Sequence, residues 1–306
     1  MTVLSELATL PAPYVVVFFL CIVYAAAIIR ILCARDAQFR KAYYKIWCVT
    51  GVAGILTVLT QIAIRNHVYL STESLYYSAF KLVNSVAATM VALGKVLGLI
   101  NMYLIIQASV KMQIAPDWSN MRILVITVCM IVASTLISFE FFVSTLKYDK
   151  TNTTILELSS NFSMYSRISG TTVYGGFITV CAILAFLCRK QLKELMLKST
   201  SSSTKSAVSS RERQLVAVAI FDCIAFGLKC IQQIAYLIAV TKEDTNASNV
   251  IASVYVYING AATFTAMFLL FTMSSSARKL LLPKRAWSAL GQSSVAPVTS
   301  IVKSRQ

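Results

Sequence analysis

The sequence predicts an all-α membrane protein built as a bundle of seven transmembrane helices. Hydrophobic residues make up 57% of the 306 residues and charged residues only 13%, which is too little polar surface to cover a soluble core of this size. Seven apolar segments reach the roughly 20 residues that a helix needs to cross a bilayer. Basic residues are also shared unequally between the loops, as is typical of multi-span proteins. Because a helix satisfies its own backbone hydrogen bonds in lipid, each segment is expected to be helical.

The hydropathy pattern places these segments in one domain over residues 1–285. The predicted spans cover about residues 13–33, 44–64, 82–108, 122–144, 170–188, 214–240 and 250–273. A short amphipathic helix is expected after the seventh span, where Arg278 and Lys279 stand beside leucines and suit an anionic lipid interface. The Ser/Thr-rich loop before the sixth span is expected to be flexible, and the tail at 286–306 to be disordered.

The basic residues predict that the N-terminus lies outside and the C-terminus lies in the cytoplasm. No Lys or Arg precedes the first span, and the basic residues instead follow it: Arg30, Arg35, Arg40, Lys41 and Lys45. In this orientation 20 of the 28 basic residues fall on the inner side. This unequal distribution across the membrane explains the net charge of +16. The predicted partner is therefore the lipid bilayer, and nucleic acid is not predicted.

Three glycosylation sequons agree with this orientation. They begin at Asn152, Asn161 and Asn246, and all three fall in predicted outer loops. A single sequon is weak support, but three on the same side favour a glycoprotein of the plasma membrane with several spans.

Polar residues inside the apolar segments are the candidates for function. A charge in a membrane core usually faces the bundle interior, because lipid cannot solvate it. At a rise of about 1.5 Å per residue, Lys95 of the third span and Lys229 of the sixth share one depth, and Asp222 and Asn101 share a deeper one. We therefore expect all four to point into the bundle.

These residues leave three interpretations open. In the first, Lys95 and Lys229 flank a cavity for a small-molecule ligand. Further polar or aromatic contacts to that ligand would come from Gln61, Tyr174, Gln233, Tyr236, Tyr257 and Asn259. In the second, Asp222 pairs with Lys95 or Lys229 and, with Asn101, holds an inactive packing that ligand binding releases. In the third, the pair only neutralises buried charge.

No enzyme, metal-site or cofactor signature is found in the sequence. Gly94-Lys95-Val96 lacks the glycine spacing of a phosphate-binding loop, and the eight cysteines have no metal-ligand spacing. The small residues Gly94 and Gly98 predict close helix packing instead, as do Gly175 and Gly176. A transporter or channel component that uses Lys95, Asp222 and Lys229 as an ion path is the alternative, but the two halves show no internal repeat.

Short motifs near the third helix and at the start of the second carry a family resemblance. Gly98-Leu99-Ile100-Asn101-Met102-Tyr103 is followed by Pro116 and Trp118, and Phe39-Arg40-Lys41-Ala42-Tyr43-Tyr44-Lys45 precedes the second span. Ser274 to Arg278 follows the seventh. With these motifs the chain resembles the nematode serpentine chemoreceptors, especially the Srg-like group that includes Srv. Met102 stands where that group has an arginine.

The resemblance implies a receptor in the cilia of sensory neurons. Such a receptor binds an environmental small molecule and activates a heterotrimeric G protein. The candidate residues for contact with the G protein are those at the inner ends of the third to sixth helices: Met102, Arg122, Arg189, Lys190, Arg211 and Arg213.

Overall fold

The fold confirms the predicted bundle of seven long helices. The computed structural model describes residues 12–66, 74–111, 118–138, 147–148, 156–157, 160–198, 202–242 and 244–281. Within these ranges the long helices are α1 (Ala12–Leu32), α2 (Ala42–Asn66), α3 (Ser74–Val110), α4 (Asn120–Ile137), α5 (Ser160–Lys198), α6 (Ser202–Thr241) and α7 (Thr245–Met273). A 3-10 turn (Ala37–Arg40) precedes α2, and a short helix, α8 (Ser275–Leu281), follows α7.

A small β ladder that the sequence did not predict lies between α4 and α5. Strand β1 (Lys147–Tyr148) pairs antiparallel with β2 (Leu156–Glu157), with Lys147 opposite Glu157. At two residues per strand it is a local feature of the connection and leaves the helical class unchanged.

Several helices extend well beyond the predicted spans. Helices α3, α5 and α6 each add two or more turns, since hydropathy marks only the part of a helix that suits lipid. The Ser/Thr-rich loop expected to be flexible is helical from Ser202 onward, so that prediction was wrong. Helix α4 ends at Ile137, where Ser138 caps it, and the rest of the predicted fourth span lies outside the described residues, as does the tail at 286–306.

Six of the long helices, α1 to α6, have the length and composition to cross a membrane. In α7 the apolar stretch found among the described residues is shorter, from Tyr257 to Thr272. Helix α2 is the most enclosed of the six spans and α4 the least. The chain is therefore a multi-pass membrane protein with α4 at the edge of its bundle.

Two apolar clusters hold the helices together. The first joins α1, α2, α7 and α8 around Tyr24, whose ring lies 4.9 Å from that of Trp47 and 6.4 Å from that of Phe264. The indole nitrogen of Trp47 also donates to the Ala266 carbonyl of α7 at 3.2 Å. The second cluster joins α3, α5 and α6 around Phe226. Burying such large aromatic side chains stabilises each cluster by about 1.5–3 kcal/mol per residue.

Helix α3 is the central element because it packs on α2, α4 and α5 and reaches α6 through the side chain of Lys95. Asn84 donates to the Thr57 carbonyl of α2 at 2.8 Å and to the Thr60 hydroxyl at 3.0 Å. A Cβ on Gly94 would collide with the side chain of Thr50, so this glycine lets α2 and α3 approach closely, as predicted.

The packing prediction was wrong for the other three glycines. A Cβ on Gly98, Gly175 or Gly176 would meet no described atom within 4 Å. A small residue at helical spacing permits close approach, but the partner helix must lie on that same face for the contact to form.

Helix α8 closes the end of the bundle at α1 and α7. Arg278 is buried and donates to the carbonyls of Phe271 at 3.0 Å and Thr272 at 2.5 Å. Arg30 of α1 in turn donates to the Leu281 carbonyl at 3.0 Å. Arg278 thus satisfies carbonyls at the C-terminus of α7. The sequence had suggested that Arg278 points to a lipid interface, and it does not.

Candidate functional site

A buried ion pair joins α3 to α6 at the centre of the bundle. Lys95 Nζ lies 2.5 Å from Asp222 Oδ1, and the two side chains are only 5% and 7% exposed. Of the two lysines that the sequence offered to Asp222, the structure therefore selects Lys95. Asn101, expected at the depth of Asp222, is also buried on α3. Two opposite charges removed from water must neutralise each other, which ties the two helices together at this point.

A stacked pair of aromatic rings lies between the two buried lysines. The rings of Tyr174 from α5 and Phe226 from α6 are 6.4 Å apart and inclined by 24°. Lys95 Nζ lies 5.3 Å from the Phe226 centroid, and Lys229 Nζ lies 5.3 Å from the Tyr174 centroid. Both distances are within the range in which an aromatic face attracts a cation. The two ammonium groups therefore share one aromatic wall.

The helical rise predicts that Lys95 and Lys229 lie at one depth, but in the structure the two ammonium groups contact different residues. The ammonium of Lys95 meets Asp222 and Phe226, which precede Lys229 on α6 by two turns and one turn. A lysine stem of four methylenes carries its charge well away from its own Cα, and the arithmetic used Cα positions alone.

A second polar level lies about one turn before Tyr174 on α5 and one turn after Lys229 on α6. Cys230 Sγ is 3.8 Å from the Thr171 carbonyl, and Gln233 is the nearest neighbour of a Cβ built on Gly170. The amide nitrogen of Gln233 donates to Gln232 Oε1 at 3.0 Å. The Thr171 hydroxyl is buried and makes no hydrogen bond among the described residues.

The remaining ligand candidates lie in three different surroundings. Gln61 is buried on α2, and Tyr236 is half-buried on α6. Tyr257 is 44% exposed and stacks on Tyr14 of α1 at 6.4 Å, so the structure does not bring its ring to the lysines. Asn259 of α7 is fully buried, and neither atom of its amide has a partner among the described residues.

The candidate residues for G-protein contact are distributed over four helices. Met102 is half-buried and packs against the α3–α5–α6 cluster. Arg122 is exposed in the first turn of α4, and Arg189 and Lys190 are exposed on α5. Arg211 and Arg213 lie on the N-terminal extension of α6, and their side chains are outside the described residues.

Two of the three sequons lie in helical first turns and not in loops. Asn161 is the second residue of α5, and Asn246 is the second residue of α7, where its side chain is exposed. Asn152 lies outside the described residues. Loop boundaries drawn from hydropathy were too wide here, because polar first turns were counted as loop.

Sequence reasoning missed Phe226, which contacts both Lys95 and Tyr174. It follows Asp222 by four positions and precedes Lys229 by three, so helical periodicity already placed it on the same face. The candidates were polar residues within apolar segments, and Phe226 is apolar, so the sequence pattern did not indicate it.

The comparison with protein families identifies the group to which this arrangement belongs. The family model described as serpentine type 7TM GPCR chemoreceptor Srv matches residues 13–287, and the resemblance to the Srg-like receptors is thereby confirmed. Among curated proteins, none matches the chain. The matched family is not a family of enzymes. The chain belongs to the Srv family of serpentine-type seven-transmembrane G-protein-coupled chemoreceptors.

Proposed function

We propose that this chain is a chemosensory receptor that binds an environmental small molecule between α3, α5 and α6 and signals through a heterotrimeric G protein. The observation that carries the proposal is the Lys95–Asp222 pair, buried beside the stacked rings of Tyr174 and Phe226. Apolar walls with a few convergent polar groups are typical of small-molecule sites.

The ion pair offers a way for a ligand to change the packing of α6. A ligand shifts a two-state equilibrium only through its different affinity for the two states. A ligand group that competes for Lys95 or Asp222 weakens the bond between α3 and α6 and favours the state in which they separate. The pair then stabilises the inactive state, and the ligand releases it.

The orientation follows from charge, and the G-protein partner follows from the family. With the N-terminus outside, the exposed Arg189 and Lys190 of α5 and the basic extension of α6 at Arg211 and Arg213 face the cytoplasm. We place the G protein at these helix ends and the receptor in the plasma membrane, in sensory cilia by family resemblance.

The test is G-protein activation in cells that express the chain at the surface, against a panel of small odorants. We expect a ligand response that is lost in Lys95→Ala and basal activation that rises in Asp222→Asn. The matched control is Lys242→Ala, which removes an exposed lysine just after α6, at the end predicted to lie outside, and should leave the response unchanged. Surface labelling must show equal expression of all variants.

Two outcomes would contradict the proposal. Ligand-dependent current or uptake without G-protein activation would instead favour a transporter that uses Lys95, Asp222 and Lys229 as its path. An unchanged ligand response in Lys95→Ala would show that the ion pair takes no part in binding or switching.

A further inference from the structure

The central cluster carries one more positive charge than negative charge. Lys95 and Lys229 each contribute one ammonium group, whereas Asp222 supplies one carboxylate, which lies against Lys95. Among the described residues no carboxylate lies within ion-pair distance of Lys229. A buried charge without a counter-ion is strongly unfavourable, so the ammonium form of Lys229 is favoured when one further anion enters the cluster.

The surroundings of Lys229 suit the binding of an anion. Its side chain is 2% exposed, and its ammonium rests on the face of Tyr174 at 5.3 Å. An aromatic face stabilises a cation partially but accepts none of its three N–H bonds as strongly as a carboxylate does. The hydrogen-bonding capacity of Lys229 therefore exceeds what the ring provides.

A neutral donor lies on the neighbouring turn of α5. The Thr171 hydroxyl is buried and unbonded among the described residues. Other helical threonines of α5 donate to the carbonyl four positions before them, as Thr172 and Thr179 do. The backbone of Thr171 faces α6, since Cys230 Sγ contacts its carbonyl. This hydroxyl remains available to a group that binds between α5 and α6.

The walls indicate the body of the ligand. Phe177 packs on Phe226 at 5.9 Å and extends the wall formed with Tyr174. Val96 and Ile178 pack against the same cluster. These rings and aliphatic side chains favour a ligand with an apolar body. Lys229, which has no carboxylate partner among the described residues, favours one anionic head group on that ligand.

We infer that Lys229 is the anchor for the carboxylate of a monocarboxylic acid with an apolar body. The Lys229 ammonium donates to one carboxylate oxygen, and the Thr171 hydroxyl donates to the head group. This assignment rests on the proposed receptor function and adds to it the chemical class of ligand. The anchor at Lys229 is a different group from the Lys95–Asp222 pair, whose release by the ligand belongs to the proposed function.

The experiment measures thermal unfolding of the full chain in discs of zwitterionic lipid, without any G protein. The probes are hexanoate, octanoate, decanoate and 3-phenylpropionate, each compared with its methyl ester. We expect at least one acid to raise the melting temperature while its ester does not. In Lys229→Met the Kd for that acid should rise roughly 10- to 100-fold, as expected for a hydrogen bond between charged groups.

Matched variants separate the anchor from general effects. Lys242→Met removes an exposed lysine just after the same helix and should leave the acid Kd unchanged, whereas Lys229→Arg should retain most of the affinity. Lys229→Met removes a buried amine without a carboxylate partner in the described part of the chain, so the melting temperature without acid should be equal or higher. Thr171→Val provides a second test, with a Kd expected to rise roughly 10-fold or more for one lost hydrogen bond to a carboxylate.

The inference is overturned if no acid stabilises the protein more than its ester, or if Lys229→Met binds the acid with the Kd of the unmodified chain. Stabilisation and G-protein activation by neutral compounds alone would retain the proposed receptor function and reject the acid anchor. Acid binding that depends on Lys229, with no G-protein activation, would retain the anchor and reject the receptor function.

Discussion

The ion pair between α3 and α6 leads to a quantitative prediction about stability. The perturbation is the removal of one charge at a time, by Lys95→Met or Asp222→Asn, followed by removal of both in the double variant. Each single change leaves its former partner as a buried charge without a counter-ion, whereas the double change removes both members of the pair.

The expected magnitude follows from the 2.5 Å separation and the low exposure of both side chains. With an effective dielectric constant near 20, the Coulomb attraction at this distance is roughly 6–7 kcal/mol. Desolvation of the two ions opposes it by several kcal/mol each. The pair as a whole therefore contributes little to the free energy of unfolding. Removal of one member alone lowers that free energy by about 3–5 kcal/mol. The double variant should be within about 1.5 kcal/mol of the unmodified chain.

The assay is equilibrium unfolding of the four proteins in mixed detergent micelles, analysed as a double-mutant cycle. A coupling free energy of at least about 4 kcal/mol is expected, because the two single losses of about 3–5 kcal/mol each are absent from the double variant. Additive effects, with coupling below about 0.5 kcal/mol, would refute the reasoning and show that water screens the pair.

Three further predictions concern the frame around this pair. Arg278→Gln should lower the free energy of unfolding by about 1.5–3 kcal/mol, measured by the same unfolding assay, since the guanidinium bonds to the last carbonyls of α7 would be lost. Gly94→Ala should lower the free energy of unfolding by about 1–3 kcal/mol, because the added Cβ would collide with Thr50. The control Gly98→Ala should be neutral or stabilising, since a Cβ there meets nothing described; equal costs at both positions would contradict the packing of α2 on α3. Asn246→Gln should remove one glycan from the mature receptor, seen as a loss of mass after gel separation, because the side chain is exposed in the first turn of α7.

Much of the fold was predictable because lipid imposes a simple rule on composition. Apolar length located all seven helices, and Lys95, Asp222 and Lys229 were expected inside the bundle since lipid cannot solvate a charge. The helix ends were not predictable to the same degree. Ser202 and the residues after it are polar, and hydropathy alone cannot tell a helix in water from a loop.

The partners within the site were less predictable than its members. The sequence left Asp222 with two lysines of similar depth, and the selection of Lys95 depends on the rotation of α3 relative to α6. The same rotation decides that Phe226 contacts Lys95, whereas the packing of α7 on α1 decides that Tyr257 stacks on Tyr14. Helical periodicity gives a face to each residue, but it does not say which helix that face meets.

By itself the sequence determined that the chain is a seven-helix membrane protein with charges in its interior, and its short motifs indicated the receptor family. These properties depend on local composition, since each segment must satisfy lipid on its own. Only the tertiary structure decided that Lys95 is neutralised, that Lys229 rests on Tyr174 without a described carboxylate, and that Arg278 caps α7. Those outcomes depend on distances of a few ångströms between segments far apart in the chain, which packing alone sets.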